Sequence, residues 1–263
     1  MNIKSRYFVL IFLMFVFSCL TKENQGIRNT EVNLSINKDT LVLLSYPLLK
    51  NTNEFVKHNA YSLAYSEKHE QALWVQYTLF KSNLELPQVK RKNKFKADPK
   101  ISSGSATLQD YKKSGYDRGH LAPCADFTFS EETMNESFFM SNMSPQNPSF
   151  NRGKWKALED KTRKLALEHD SILVITGPVL HGTDSIFSIG EGVTIPHYFY
   201  KLIISLTSYK SVVYLMPNKK LTKEIDNYII SIDSLERITN IDFLYPDSVC
   251  IDCNEESVIN YYL

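Results

Sequence analysis

The sequence predicts an α+β fold, a central antiparallel β-sheet with flanking helices. Three observations lead there. Stretches with strand character outnumber those with helical periodicity, they fall in adjacent pairs joined by short polar turns, and only one long amphipathic helix stands out. Of the 263 residues, 43% are apolar, enough for a sizeable core, and 22% are charged, too few for a wholly disordered chain. The net charge of +1 gives no global attraction for a polyanion, so an acidic polymer would have to meet a local basic patch.

Each element follows in chain order. Residues 1–18 read as a signal peptide: Lys4 and Arg6 precede the apolar run Tyr7 to Phe17, which is shorter than the roughly 20 residues that span a bilayer. The run ends in Val16-Phe17-Ser18-Cys19, which resembles a bacterial lipobox and implies lipidation of Cys19. The expected location is exported, either as a membrane-anchored lipoprotein (periplasmic or cell-surface) or as a secreted chain. Residues 19–39 form a polar tether. With few Gly and Pro, no repeat and no later linker, residues 40–263 read as one domain.

Within it, Leu41 to Ser45 is a short strand. Ala60–Tyr65 and Ala72–Phe80 form a hairpin across Glu67-Lys68-His69-Glu70. Ser130 caps a short helix whose first turn carries Glu131 and Glu132. Asn151–His169 is the long helix, with Trp155, Leu158, Thr162, Leu165 and Ala166 on its core face. Ser171–Thr176 is a buried strand ending at Gly177-Pro178. Tyr198–Leu206 and Ser211–Leu215 pair, and Thr222–Ser231 is a weaker helix. Apart from Cys19, three cysteines remain. Cys250 and Cys253 either close a small disulfide loop or stay as thiols, and four ligands for a structural zinc are lacking.

The chemically informative stretch is Tyr116 to Glu159. His120 titrates near neutrality and suits removal of a proton from water. Gly119 before it permits close backbone approach. Arg118 can neutralise a phosphate, and Asp117 can accept hydrogen bonds that orient its neighbours. Asn151 and Glu159 lie eight residues apart on the long helix, about 80° around its axis, so both face one side. Such oxygen donors suit Mg²⁺, with Mn²⁺ as the alternative ion, because Mg²⁺ keeps most of its waters and takes few protein ligands. A base, a hard cation and an arginine are the parts that phosphodiester hydrolysis needs. Upstream, Lys90, Arg91, Lys92, Lys94, Lys96 and Lys100 surround Phe95 and form a candidate phosphate-binding rim.

Three separated motifs now stand in order: Asp117-Arg118-Gly119-His120, then Ser141-Asn142-x-Ser144-Pro145-Gln146, then Asn151-x3-Trp155-x2-Leu158-Glu159. Together they resemble the DNA/RNA non-specific endonucleases, the ββα-metal (His-Me finger) nucleases that include secreted bacterial enzymes and mitochondrial endonuclease G. Weaker landmarks extend the resemblance over roughly residues 44 to 217. It implies a finger in which one strand carries His120, a second covers Phe138 to Asn142, and the helix from Asn151 packs beneath. It implies His120 as general base, Arg118 as an active-site arginine, and Asn142 as a residue supporting the site. It implies Asn151 as direct metal ligand and Glu159 as the carboxylate holding the metal's water. Arg91, Lys94 and Lys96 are the expected substrate-binding cations. DNA and RNA are the implied substrates, 5′-phosphates the implied products, and a homodimer the implied assembly in some relatives. Two other readings compete: a module of the same fold that binds nucleic acid without cutting it, and a phosphodiesterase for a small substrate. Intact His120, Asn151 and Glu159 argue against the first, and the basic segment argues for a polymer.

Overall fold

Strand β6 (Ser171–Pro178) shows why the sheet is central. Its side chains alternate, sending Ile172 and Val174 into one apolar cluster and Leu173 and Ile175 into another on the opposite face. A strand buried on both faces must be covered on both, and helices do so here. In the computed structural model, which describes residues 46–47, 54–180 and 187–243, seven strands form one sheet in the order β1-β2-β3-β6-β9-β10-β11, and every neighbour pair is antiparallel. They are β1 (Glu54–Lys57), β2 (Ser62–Ser66), β3 (Gln71–Phe80), β6, β9 (Tyr198–Ser205), β10 (Ser211–Pro217) and β11 (Ile229–Ile230). One face packs on the helix α5 (Lys156–His169) through Trp155, Leu158, Leu165 and Ala166. The other packs on α6 (Ile232–Thr239) through Ile232 and Leu235.

Between β3 and β6 the chain makes its excursion. Helices α1 (Lys81–Glu85) and α2 (Leu108–Tyr111) precede β4 (Asp117–His120), and α3 (Glu131–Glu136) follows it. Strand β5 (Met143–Gln146) pairs with β4, setting Gly119 opposite Ser144 and His120 opposite Met143. The one-turn helix α4 (Pro148–Phe150) then runs into a wide turn, Asn151–Trp155, broken at Gly153 (φ −107°, ψ −113°), before α5 begins. A separate short pair, β7 (Ser188–Ile189) and β8 (Val193–Thr194), completes the set. Among the described residues no helix is long and apolar enough to cross a membrane.

The hairpin, the Ser130-capped helix, β6 and the β9–β10 pair stand where the sequence pattern puts them. Three expectations are corrected. Residues Phe138 to Asn142 are not a strand. Phe138 turns inward to pack on Cys124 and Met134, Met140–Asn142 curl into a 3₁₀ turn, and pairing starts only at Met143. Thr222–Ser231 is not a helix. Ile225–Tyr228 form a 3₁₀ turn, Ile229 and Ile230 add a strand to the sheet edge, and the helix starts after Ser231, whose hydroxyl caps the Ser234 N–H. The apolar pair is satisfied by Tyr214 and Val213 of β10, a partner that periodicity cannot reveal. The long helix also starts later than expected, at Lys156, because Gly153 interrupts it. The signal peptide, the tether, Cys19, the strand Leu41–Ser45, His181, Cys250 and Cys253 lie outside the described residues.

Candidate active site

Alternation along β4 gives its residues two jobs. Arg118 and His120, two apart, share one face, while Asp117 and Gly119 share the other. A Cβ at Gly119 would run into the Gln146 side chain of β5, so any larger residue there requires Gln146 to move. His120 and Arg118 open into a cavity of about 550 Å³ whose wall also includes Arg91, Phe95, Asn151, Glu159 and Arg163. His120, Asn151 of the turn and Glu159 of α5 therefore share one cavity, although 31 positions separate His120 from Asn151.

The His120 wall is aromatic and cationic. The imidazole packs edge-on against Phe138, with centroids 5.1 Å apart, and lies 5.7 Å from Phe95. The Arg118 guanidinium sits over Phe95 at 4.3 Å and that of Arg91 over Phe138 at 5.4 Å, so the rings hold both cations beside the histidine. His120 Nε2 is buried without a hydrogen-bond partner among the described residues. Burial, then Arg91 and Arg118, push the imidazole down to about 3, so it is neutral at physiological pH and able to take a proton.

The opposite wall is carboxylate-rich. Asn151 donates its amide N–H to Asp117 Oδ2 at 2.9 Å. Arg152 donates two bonds to the same carboxylate, at 2.8 and 2.6 Å. Burial disfavours charge on Asp117, but the bonds from Arg152 and Asn151 outweigh it and hold the carboxyl below its ordinary range. Glu159 is shifted the other way. Burial, with Asp126 and Asp160 adding repulsion, raises its carboxyl against the opposing pull of Lys201 and Arg163. Lys201 is itself fully buried, donating to Thr176 Oγ1 at 2.7 Å and lying 5.1 Å above the Trp155 ring. Arg163 donates to the buried Asp126 at 2.7 Å and also to Asp160, while Tyr77 donates to Asp126 at 2.7 Å. Among the described residues no three His, Cys, Asp or Glu side chains converge as a metal cage. The donors on this wall are oxygens, few in number, and that set fits a hydrated Mg²⁺ rather than a zinc or a fully caged ion.

The remaining candidates divide. Arg91 borders the cavity, and it is the member of the basic segment that does so. Lys94 and Lys96 do not. Lys96 is exposed and stacks 5.0 Å over Phe139, Lys92 pairs with Glu131, and Lys100 Nζ donates to the Lys57 carbonyl. Asn142, expected among the catalytic residues, does not reach the cavity either. It is fully buried, its Oδ1 accepting from Ala122 N–H at 2.9 Å and its Nδ2 donating to the carbonyls of Ala122 and Ser137. It clamps the loop that leaves His120. Sequence reasoning missed Arg163, Arg152 and Lys156 on the cavity wall. Arg163 was findable, because it follows Glu159 by one helical turn, about 40° around the axis. The Asp117–Arg152 pair was not, because its partners are 35 residues apart.

With that geometry in view, comparison with known proteins is informative. Residues 43–247 match the family model of the DNA/RNA non-specific endonucleases, extending the similarity some 30 residues past the landmark motifs, which ended near residue 217. The chain is 30% identical to a nuclease of Nostoc sp. over 99% of this chain and all of that one. It is 31% identical to human mitochondrial endonuclease G over 70% of this chain and 67% of that one. A mitochondrial nuclease of Saccharomyces cerevisiae is 29% identical over 74% of this chain, which spans 65% of the yeast protein's length. Among solved structures, an EndoG/EndoGI complex superposes with a TM-score of 0.68 at 30% identity, covering 74% of this chain and 87% of that one.

Proposed function

Because this chain belongs to the DNA/RNA non-specific endonuclease family, we propose that it is a metal-dependent, sugar-non-specific endonuclease that cuts DNA and RNA with His120 as general base and leaves 5′-phosphates. The observation that supports this most is the single cavity shared by His120, Arg118, Asn151 and Glu159. Asn151, by its side-chain oxygen, and Glu159, through water, would hold the ion. Mg²⁺ or Mn²⁺ bound there would neutralise charge on the phosphate and on the departing 3′ oxygen. Arg118 and Arg91, fixed over their rings, bind and orient the phosphate and offset charge that builds on it. The neutral imidazole of His120 accepts a proton from the attacking water. Burial is the first cause of its lowered basicity and the two arginines the second, so an anion covering them would relieve only the smaller part. Asn142 fixes the loop behind His120, and Arg163 keeps Asp126 and Asp160 paired beside Glu159.

The test is digestion of supercoiled plasmid and of structured RNA with Mg²⁺, with Mn²⁺ and with EDTA, alongside His120→Ala. Cutting of both polymers that EDTA stops and Mg²⁺ restores, with loss in His120→Ala, is the expected result. A protein that binds but never cuts would favour the inactive module, and an intact plasmid beside hydrolysis of a small phosphodiester would favour the small-substrate enzyme. The exported location and the Cys19 anchor belong to the same proposal, supported by the N-terminal apolar run. Incorporation of labelled palmitate that persists in Cys19→Ser would refute the anchor.

A further inference from the structure

We propose that Asp117 is a positioning residue that fixes which end of the Asn151 amide faces the metal. The proposal rests on Asn151 being a metal ligand and adds how that ligand is aimed. A primary amide is nearly symmetric in shape but opposite in chemistry at its two ends: its oxygen can bind a hard dication and its NH₂ cannot. A rotation of the terminal amide would therefore convert a ligand into a repulsive dipole with almost no change in packing. Something must select the orientation, and in this structure an ionised carboxylate does so.

Asp117 Oδ2 lies 2.9 Å from the Asn151 amide nitrogen. An ionised carboxylate only accepts hydrogen bonds, so the NH₂ must point to Asp117 and the oxygen away from it. Asn151 Oδ1 has no protein hydrogen bond of its own among the described residues and stays available for an ion. Arg152, the residue next to Asn151, donates to both oxygens of the same carboxylate and ties it to the turn that carries Asn151. The Asp117 side chain is 17% exposed against 73% for Arg152, so the selecting group is sheltered and its clamp lies in solvent. The strand geometry makes this arrangement economical. From one four-residue strand, His120 enters the cavity on one face, and Asp117 reaches the Asn151–Trp155 turn from the other. In this view β4 sets the base directly and the metal ligand at one remove.

The rival account is that Asp117 and Arg152 merely staple strand to helix. Binding of Mn²⁺ alone to the full chain, followed by the free-ion paramagnetic resonance signal, separates the two, with thermal melts alongside. Asn151→Ala tests the ligand itself: binding as in wild type would end both readings. Asp117→Asn keeps the shape but offers an NH₂ as well as an oxygen, so the amide is free to turn, and Mn²⁺ affinity should fall about tenfold or more. Arg152→Gln removes the staple but leaves the selecting bond, and should retain most of the affinity. The double variant Asp117→Asn with Asn151→Asp exchanges donor and acceptor: the amide at 117 donates to one oxygen of the carboxylate at 151, the other oxygen faces the ion, and affinity should recover. Wild-type affinity in Asp117→Asn while Asn151→Ala has lost binding would overturn the proposal. So would equal losses in Asp117→Asn and Arg152→Gln with no recovery in the exchange.

Discussion

The two sides of the cavity carry their charges differently: arginines packed on rings around His120, and carboxylates paired with cations around Asn151 and Glu159. Around His120 the nearby charges are Arg91 and Arg118, each held over a ring, and they and burial keep the imidazole neutral. Around Asn151 and Glu159 the carboxylates of Asp117, Asp126 and Asp160 gather, each with a cation as counter-partner. The guanidinium groups beside His120 are placed to attract an anion, whereas those beside Asn151 and Glu159 are already paired with carboxylates. The lesson is that the division of labour is written in the charges of the surroundings, not only in the two residues that act. The imidazole is held neutral first by burial and only then by the two arginines.

The comparison can be broken at either wall. The largest effect is expected from His120→Ala, a fall in kcat of about 10³-fold in plasmid nicking, since no other group in the cavity offers a neutral imidazole. Next is Arg163→Met. It leaves Asp126, whose side chain is wholly buried, without its ion-pair partner, and unfolding by denaturant should show a loss of about 3 kcal/mol. A third test addresses the cationic wall. In the folded chain His120 titrates near 3, below the about 6.5 expected when unfolded, so the unfolded state binds the extra proton between those values. Stability from this group is therefore complete above about pH 6.5 and declines as pH falls toward 3. In Arg118→Gln the titration midpoint, followed by ring proton resonances, should move up, and the acid-side loss of stability should shrink; an unchanged midpoint would remove Arg118 from the account. The smallest effect is expected from Lys96→Ala. Lys96 lies off the cavity over Phe139, so KM should change by less than about threefold, with the salt dependence of binding little altered.

Legibility followed range. The β2–β3 hairpin, the Ser130 cap and the core face of α5 depend on neighbours within a few positions, and the pattern of residues exposes them. The motif Asp117-Arg118-Gly119-His120 and the pair Asn151 and Glu159 were legible as groups of polar side chains, and the structure brings His120, Arg118, Asn151 and Glu159 to one cavity. Phe138 to Asn142 failed as a strand because Asn142 folds back on Ala122, a long-range bond that outweighs local preference. The basic segment overstated the site. Six cations share it, yet Arg91 reaches the cavity while Lys92 and Lys100 are drawn to Glu131 and the Lys57 carbonyl.

By itself the sequence determined which chemical groups exist, their local periodicity, and an α+β sheet with one dominant helix. Those properties arise from spacings of two to four residues, where backbone geometry alone dictates direction. Only the tertiary structure decided that Asp117 would accept from Asn151, that Arg163 would meet Asp126, and that Lys94 and Lys96 would stand apart from the cavity. These partners are 34 and 37 residues apart in the two bonded pairs, and at such distances the packing of the whole chain, not its local pattern, chooses who meets whom.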